Sequence, residues 1–391
     1  MFARTRAWRM IPYGKQAIDQ ADIDAVVAVL KSDYLTQGPQ VPAFEQALAS
    51  YCQVDYALAM NSATSALHVA CLALGLGEGD WLWTTPNTFV ASANCARYCG
   101  ASVDFVDIHP QTYNLCTEAL EQKLILAEAQ NRLPKIVIPV HFAGQPCDMQ
   151  RIYELSQEYG FRIIEDASHA IGGKYFDQPI GACRYSDITV FSFHPVKIMT
   201  TAEGGVATTR HGELYETMSL LRSHGVTRDP QLMEGAQEGP WYYQQVTLGF
   251  NYRMTELQGA LGLSQLSKVD TFVARRHQLA QRYAQGLSDL PLRLPYQHPL
   301  GYSSYHLYPI QVMSDHLSRA ELFDALRAQG IGVNVHYIPV HTQPYYRRLG
   351  FKVGDFPHAE AYYQRAISLP LHQGLTDAEQ DYVMDCLTQR L

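Results

Sequence analysis

The chain has no run of about 18 or more consecutive apolar residues, so no segment has the length of a transmembrane helix. Eight cysteines among 391 residues are too sparse for a disulfide-stapled secreted scaffold. The N-terminal MFARTRAWRMIPYG also lacks the apolar core and small-residue cleavage site of an export signal. A reducing cytoplasm is the expected location. Charge is scarce: 17% of residues are charged, Lys and Arg (30) are fewer than Asp and Glu (38), and the net formal charge is -8. The basic residues are scattered, which excludes the footprint of a duplex-nucleic-acid binder and leaves any anionic ligand to local donors. No glycine-rich G-x-G-x-x-G turn links an early strand to a helix, so a dinucleotide site of that kind is excluded. Cys95 and Cys99 could share a helix face, but no Cys/His set completes four ligands, and no metal is expected. No internal repeat or low-complexity tract is present. The amphipathic RRHQLAQRYAQGL fits a domain or dimer interface better than a membrane surface.

What is present is an apolar fraction of 47%, enough for sizeable cores, in a chain long enough for two domains. Ile18, Ile23, Val26, Val27 and Leu30 recur at helical spacing over residues 15–31. YLTQGPQVPAFEQAL reads as a loop entering a second helix. YALAMN, ending at Asn61, WLWTT, SVDFVD, KIVIPV and FRIIED are short apolar strands, separated by helical stretches that include one from about Thr88 to Cys99 and MQRIYELSQEY. That rhythm predicts an α/β fold with a mostly parallel sheet covered on both faces, at about residues 50–250. DITVFSF and GGVATT add two strands joined too closely for a parallel crossover, so the second is expected to be antiparallel. A long Gly- and Trp-containing loop precedes NYRM, and the run from TELQ to AQGL predicts a long helix with a break or bend along its length. HLYPIQV, RAELFDALRAQG, IGVNVHY and a final helix then predict a small α+β domain. The expected division is 1–260, an N-terminal segment with the large α/β domain, and 261–391, the linking helix with the small domain.

Polar residues gather where strands end, the usual place for sites in open α/β sheets. Asn61-Ser62-Ala63-Thr64 follows a strand and opens a helix, so it is either an ordinary cap or an anion cradle of hydroxyls and free N–H groups. Asp166 ends FRIIED ahead of Ser168 and His169. A carboxylate there needs a partner: it is either a helix cap or paired with that histidine, or it meets a protonated heterocyclic nitrogen. Lys197 in SFHPVK follows Pro195 and is either a snorkelling surface lysine or, partly buried, an amine able to bond an aldehyde. A phosphate-type helix start, an aldehyde-capable lysine and a strand-end aspartate together are economically explained by pyridoxal 5'-phosphate.

The segments NSATSALHVA, TTPNTFVASAN, HFAGQPCDM, IIEDASHAIGGKY, FSFHPVKIMTTAEGGVATT, LRSHG, LGFNYRMTELQGALGLSQL and VHYIPVH carry a family resemblance from Ile11 onward. The chain resembles the sugar nucleotide aminotransferases, fold-type I pyridoxal phosphate enzymes of the DegT/DnrJ/EryC1/StrS kind. The resemblance implies a seven-stranded, mostly parallel sheet with a small C-terminal domain. It makes Lys197 the Schiff-base lysine and proton shuttle, places Asp166 at the pyridine nitrogen, and stacks Phe89 on the ring. Ser62, Ala63, Thr64 and Ser192 are implied to hold the phosphate, and His169 to sit near the ring oxygen. Asn251 is implied to reach the phosphate from the second subunit of a homodimer.

Within the family the narrower likeness is to pseudaminic acid pathway enzymes, which aminate C4 of a UDP-linked 4-keto-6-deoxy-N-acetylhexosamine with L-glutamate. Both substrates are anionic. Lys15, Arg228, Arg253 and His336 are the candidate cations or donors for them. Pro339 and His341 either shape the sugar end of the pocket or pack structurally. Family relatives that dehydrate a ketosugar at C3 carry histidine in place of the lysine, so Lys197 favours transamination. A non-catalytic sugar-nucleotide-binding relative would lack the cofactor's absorbance.

Overall fold

The computed structural model describes residues 10–391, so most of the stretch read for an export signal lies outside the described residues. Helix α1 (Gln20–Leu30) starts later than the periodicity suggests, because Asp19 and Asp22 form a reciprocal capping box there. Its apolar stripe of Ile18, Ile23, Val27 and Leu30 is exposed. Val29 and Asp22 are the buried residues of α1, and Asp22 accepts from Ser264 Oγ and Gln265 Nε2 at 2.6 Å and from Lys268 Nζ at 2.9 Å.

The strand and helix alternation follows: α2 (Gln40–Cys52), β1 (Tyr56–Met60), α3 (Ala63–Ala73), β2 (Trp81–Thr84), α4 (Ala91–Tyr98) and β3 (Ser102–Phe105). It continues through α5 (Thr117–Ala129), β4 (Ile136–Ile138), α6 (Met149–Tyr159) and β5 (Arg162–Asp166). Helix α4 begins at Ala91, not Thr88, because residues before it turn around the Asn87 side chain, which meets Tyr113 O and the Tyr337 amide. Helix α6 buries Met149, Ile152 and Leu155 on one face and is closed by Gly160 at φ 78°.

A small hairpin, β6 (Lys174–Tyr175) and β7 (Gln178–Pro179), precedes β8 (Ile188–Ser192) and β9 (Gly205–Thr209). The seven-stranded sheet runs β1-β9-β8-β5-β4-β2-β3. Strand β9 is antiparallel to both neighbours and the remaining pairs are parallel, as expected from the short β8–β9 connection. Successive residues of a strand enter opposite cores: Ile164 and Val190 pack on one face, Ile163 and Phe191 on the other.

Helix α7 (Gly212–Arg222) leads to β10 (Val226–Thr227) and β11 (Gln244–Gln245), which pair at the base of the long loop. The expected break in the long helix falls between α8 (Glu256–Leu266) and α9 (Val269–Gly286), where Lys268 is tied to Asp19 and Asp22. The C-terminal part contains β12 (Leu292–Arg293), β13 (Gly301–Tyr302), β14 (Tyr308–Val312), α10 (Arg319–Ala328) and α11 (Pro344–Arg347). It ends with α12 (Pro357–Arg365), β15 (Ala366–Leu369) and α13 (Asp377–Thr388). Strands β12, β14 and β15 form a small sheet over a third core that includes Leu279, Tyr283, Ile310, Leu326 and Val383. Tyr346, Phe356 and Tyr362 instead join the core of the large sheet, so this stretch folds back over it.

Candidate active site

The parallel strands β5 and β8 end side by side, and the site begins there. Asp166 closes β5 and is 5% exposed. Its Oδ2 accepts from Ser92 Oγ at 2.6 Å and its Oδ1 from the Ser168 amide at 3.0 Å. Strand β8 ends at Ser192, whose hydroxyl is half-buried and makes no hydrogen bond among the described residues. Backbone bonds Phe193 N to Gly204 O (2.9 Å) and Thr201 N to Phe193 O (3.0 Å) then cinch residues 193–204 into a closed loop. Lys197 sits in that loop, half-buried, with no hydrogen bond or ion pair at its Nζ among the described residues. Burial lowers its ammonium from the ordinary lysine value to about 8, with the Asp166 carboxylate opposing.

The next strand shapes an anion cradle. Gly205 of β9 runs directly against the start of α3, where an added Cβ would collide with Ala63 N and lie 2.5 Å from Ala63 Cα. Ser62 caps α3, its Oγ accepting from the Ser65 amide at 3.1 Å. The Ala63 and Thr64 amides have no partner among the described residues. Open N–H groups at a helix start, bordered by a hydroxyl at each strand end, are what a phosphate requires.

Sequence reasoning reached His169 and His336 but missed the residues that join them in a cluster over this floor. The Ala143 amide donates to His169 Nδ1 at 3.2 Å, which puts the neutral ring's proton on Nε2, facing Tyr337 Oη at 3.0 Å. Burial, then Lys197 and His336, hold His169 well below the usual histidine range. Tyr337 stays protonated, raised by burial and then by Asp166. The His306 ring lies 4.4 Å from His169, and burial followed by His169 and Lys197 keeps it neutral as well. His336 pairs with Ser368 Oγ at 2.8 Å and is pushed down to about 3 by burial and then Lys197. Ser92 and Tyr337 lie inside quoted motifs, one turn from Thr88 and next to His336. His306 opens HLYPI. Their involvement depends on tertiary approach and has no signal of its own in spacing.

The other candidates are dispersed. Phe89 is 60% exposed, with its ring 6.5 Å from Tyr337. Lys15 is exposed and follows Gly14, where an added Cβ would lie 3.7 Å from Val196, the neighbour of Lys197. Asn251 and Arg228 are exposed and join none of these side chains by hydrogen bond or ion pair. Arg253 bridges Met60 through its backbone and buries an Nε without a partner among the described residues. His341 is fully buried, bonded to Glu360 Oε1 at 2.8 Å and packed on Phe356, so it is a packing residue. Pro339 precedes Val340, whose amide binds Pro86 O at 2.9 Å and ties this loop to the Phe89 segment.

The DegT/DnrJ/EryC1/StrS aminotransferase family matches residues 16–388. The chain belongs to this family. Among its relatives, the spore coat polysaccharide biosynthesis protein SpsC of Bacillus subtilis is 37% identical, the match covering 96% of each chain. The UDP-4-amino-4,6-dideoxy-N-acetyl-beta-L-altrosamine transaminase of Campylobacter jejuni is 38% identical over 97% of this chain and 96% of its own. The solved structure of Helicobacter pylori PseC, an aminotransferase involved in pseudoaminic acid biosynthesis, superposes with a TM-score of 0.88 at 32% identity, covering 97% of this chain and 98% of that one. The PLP form of Spr1654 from Streptococcus pneumoniae superposes at 0.87 with 31% identity over 97% and 98%.

Members of the DegT/DnrJ/EryC1/StrS family use pyridoxal phosphate, and the residues present here fit it. An unpaired amine, a buried carboxylate, open helix-start amides and a glycine with no room for Cβ match its aldehyde, ring nitrogen and phosphate. The protein is a pyridoxal phosphate-dependent aminotransferase.

Proposed function

We propose that the chain moves the amino group of L-glutamate onto the keto carbon of a nucleotide-linked ketosugar. The observation that carries this reading is Lys197, an unpaired half-buried amine held at about 8 beside the strand-end carboxylate of Asp166. When bound, pyridoxal phosphate supplies an aldehyde for amines and a ring that takes up the electrons left by a departing Cα proton. Ser62, Ala63, Thr64 and Ser192 would hold its phosphate, and Phe89 would stack on the ring. Asp166, aimed by Ser92 and the Ser168 amide, keeps a proton at the pyridine nitrogen. His169 and Tyr337 form a hydrogen-bonded pair, and His169 would face the ring oxygen. Lys197 Nζ takes the proton from glutamate Cα and, in the second half-reaction, delivers one to the sugar carbon.

The working unit is a homodimer with shared sites, in which Asn251 reaches the phosphate of the other subunit. Two features support it: the Asn251 side chain is exposed and has no partner among the described residues, and large apolar residues stand exposed on α1 (Ile23, Leu30) and on the long loop (Trp241, Leu248). Lys15, His336, Arg228 and Arg253 are the donors we assign to the anionic substrates. Lysine at 197, where the dehydrating relatives carry histidine, favours amination over loss of water.

The narrower substrate, a UDP-linked 4-keto-6-deoxy-N-acetylhexosamine aminated at C4 toward pseudaminic acid, is supported by the likeness to the Campylobacter enzyme and PseC. SpsC matches as well, so the relatives favour the broader class. Product NMR on a panel of UDP-, GDP- and dTDP-linked 4-ketosugars with glutamate tests both. An amino sugar from at least one is expected, and none at all overturns the broad reading. Preference for a dTDP sugar overturns only the narrow one.

A further inference from the structure

Beside Asp166 in β5, but on the other face of the sheet, lies a second acid that the reaction does not use. Successive residues of a strand point to opposite faces, so the Glu165 side chain lies away from Ser92, among Met149, Tyr175 and Ile180. It is 5% exposed. Three donors converge on its carboxylate. His141 Nε2 is 2.7 Å from Oε2, while Oε1 accepts from Ser186 Oγ at 2.5 Å and from Thr189 Oγ1, its partner across β8, at 3.0 Å. The fully buried His141 is the donor, because its Nδ1 accepts from the Cys147 amide at 3.0 Å and carries no proton. No Lys or Arg pairs with Glu165 among the described residues.

His141 also holds Asp166 through the main chain. Its amide donates to Asp166 O at 3.1 Å, the Asp166 amide donates to Pro139 O at 2.9 Å, and the Ala167 amide donates to Val190 O at 2.8 Å. The last peptides of β5 are thereby fixed between β8 and the chain just past β4, with His141 gripping one acid by its ring and the next by its backbone. A charge is not needed for such a knot. Glutamine would offer an oxygen to His141 and an amide to the two hydroxyls, which can rotate to accept, without the cost of taking a charge out of water. Glu165 is nonetheless held below the ordinary glutamate value: burial opposes ionisation, but His141, Ser186 and Thr189 outweigh it. What the charge adds is a negative potential beside Asp166, in an interior that screens it less than water does.

We propose that His141 and Glu165 are a positioning pair for Asp166: they fix the strand end that aims its carboxylate, and the Glu165 charge, acting across the sheet, strengthens the hold of a proton on the pyridine nitrogen. This rests on Asp166 serving that nitrogen. The test uses holoenzyme reconstituted with pyridoxal phosphate isotopically labelled at the ring nitrogen, whose NMR resonance reports protonation of that atom. Glu165→Gln should move the resonance toward that of the unprotonated ring and lower kcat roughly tenfold, with KM for glutamate unchanged. His141→Phe removes the ring donor, leaves the main-chain bond to Asp166 O, and should act in the same direction. Thr84→Val is the structural control. It removes a buried bond in the same sheet, Thr84 Oγ1 to Ile138 O at 2.8 Å, and should lower the melting temperature while the resonance stays in place. Asp166→Asn should move the resonance furthest. A resonance moved by Asp166→Asn but not by Glu165→Gln overturns the pair's role and leaves Asp166 at the nitrogen; one moved by neither overturns both. If Glu165→Gln does not fold, the resonance in His141→Phe decides by the same criterion.

Discussion

At the scale of single residues, the chemistry depends on how neighbours change ordinary side chains. Lys197 is the clearest case. Desolvation lowers its amine to about 8, so a useful fraction is unprotonated near neutrality, while Asp166 limits the fall. In the apoprotein, reductive methylation with formaldehyde should modify Lys197 along a pH curve with its midpoint near 8. Exposed lysines should follow a curve centred near about 10.4. A Lys197 midpoint matching theirs would remove the physical basis for its role. From local sequence, Lys197 is open between a surface lysine and a nucleophile, and Asp166 between a cap and a ring partner. What bears on the first question is that the Lys197 amine is half-buried and without a hydrogen-bond partner among the described residues. What defines the second is the Ser92 hydroxyl, donated from 74 positions earlier in the chain. Contacts of that range leave no trace in spacing.

At the scale of elements, the strands and helices are legible wherever a period is strong. FRIIED, MQRIYELSQEY and the antiparallel GGVATT appear as β5, α6 and β9 because a parallel, doubly covered sheet demands apolar strands and short returns. Helix α1 shows the opposite. Much of its apolar period points outward, and a buried aspartate helps Val29 dock the helix. The tightest junction between elements is Gly205 against the first residue of α3. Gly205→Ala has no room for its Cβ and must push the Ser62–Thr64 amides out of place. Cofactor affinity should fall at least about tenfold, roughly 1.4 kcal/mol, while far-ultraviolet circular dichroism stays at the wild-type value. Unchanged cofactor binding, measured by equilibrium dialysis, would show that the cradle lies elsewhere.

At the scale of the whole molecule, the buried histidines set the response to acid. His169, His306, His336 and His372 are all at most 7% exposed and all lowered chiefly by burial, His336 to about 3 and His372 to about 4. The unfolded chain protonates them below about pH 6.5, whereas the native state does not. Their stabilisation is therefore complete above that pH and is lost as pH falls toward the native values. Each group contributes up to about 1.4 kcal/mol per pH unit over that window. Urea unfolding at stepped pH should show this decline. His372, whose ring nitrogens make no hydrogen bond among the described residues, can be replaced by Phe to reduce the slope by roughly one proton.

The dimer is the second property at this scale. If the sites are shared, mixing inactive Lys197→Ala and Asn251→Ala chains under conditions that exchange subunits should restore activity. Statistical mixing makes about a quarter of the sites complete. No recovery despite verified exchange would place Asn251 within the site of its own chain.

The central claim is that this pyridoxal phosphate enzyme, through Lys197, transfers nitrogen from glutamate to a nucleotide-linked ketosugar. The most direct measurement follows 2-oxoglutarate and amino sugar together, in wild type and Lys197→Ala, with glutamate and a UDP-linked 4-ketosugar. Equal amounts of the two products from the wild type, and neither from the variant, are predicted. Loss of water from C3 without 2-oxoglutarate, or undiminished turnover by the variant, would contradict the account.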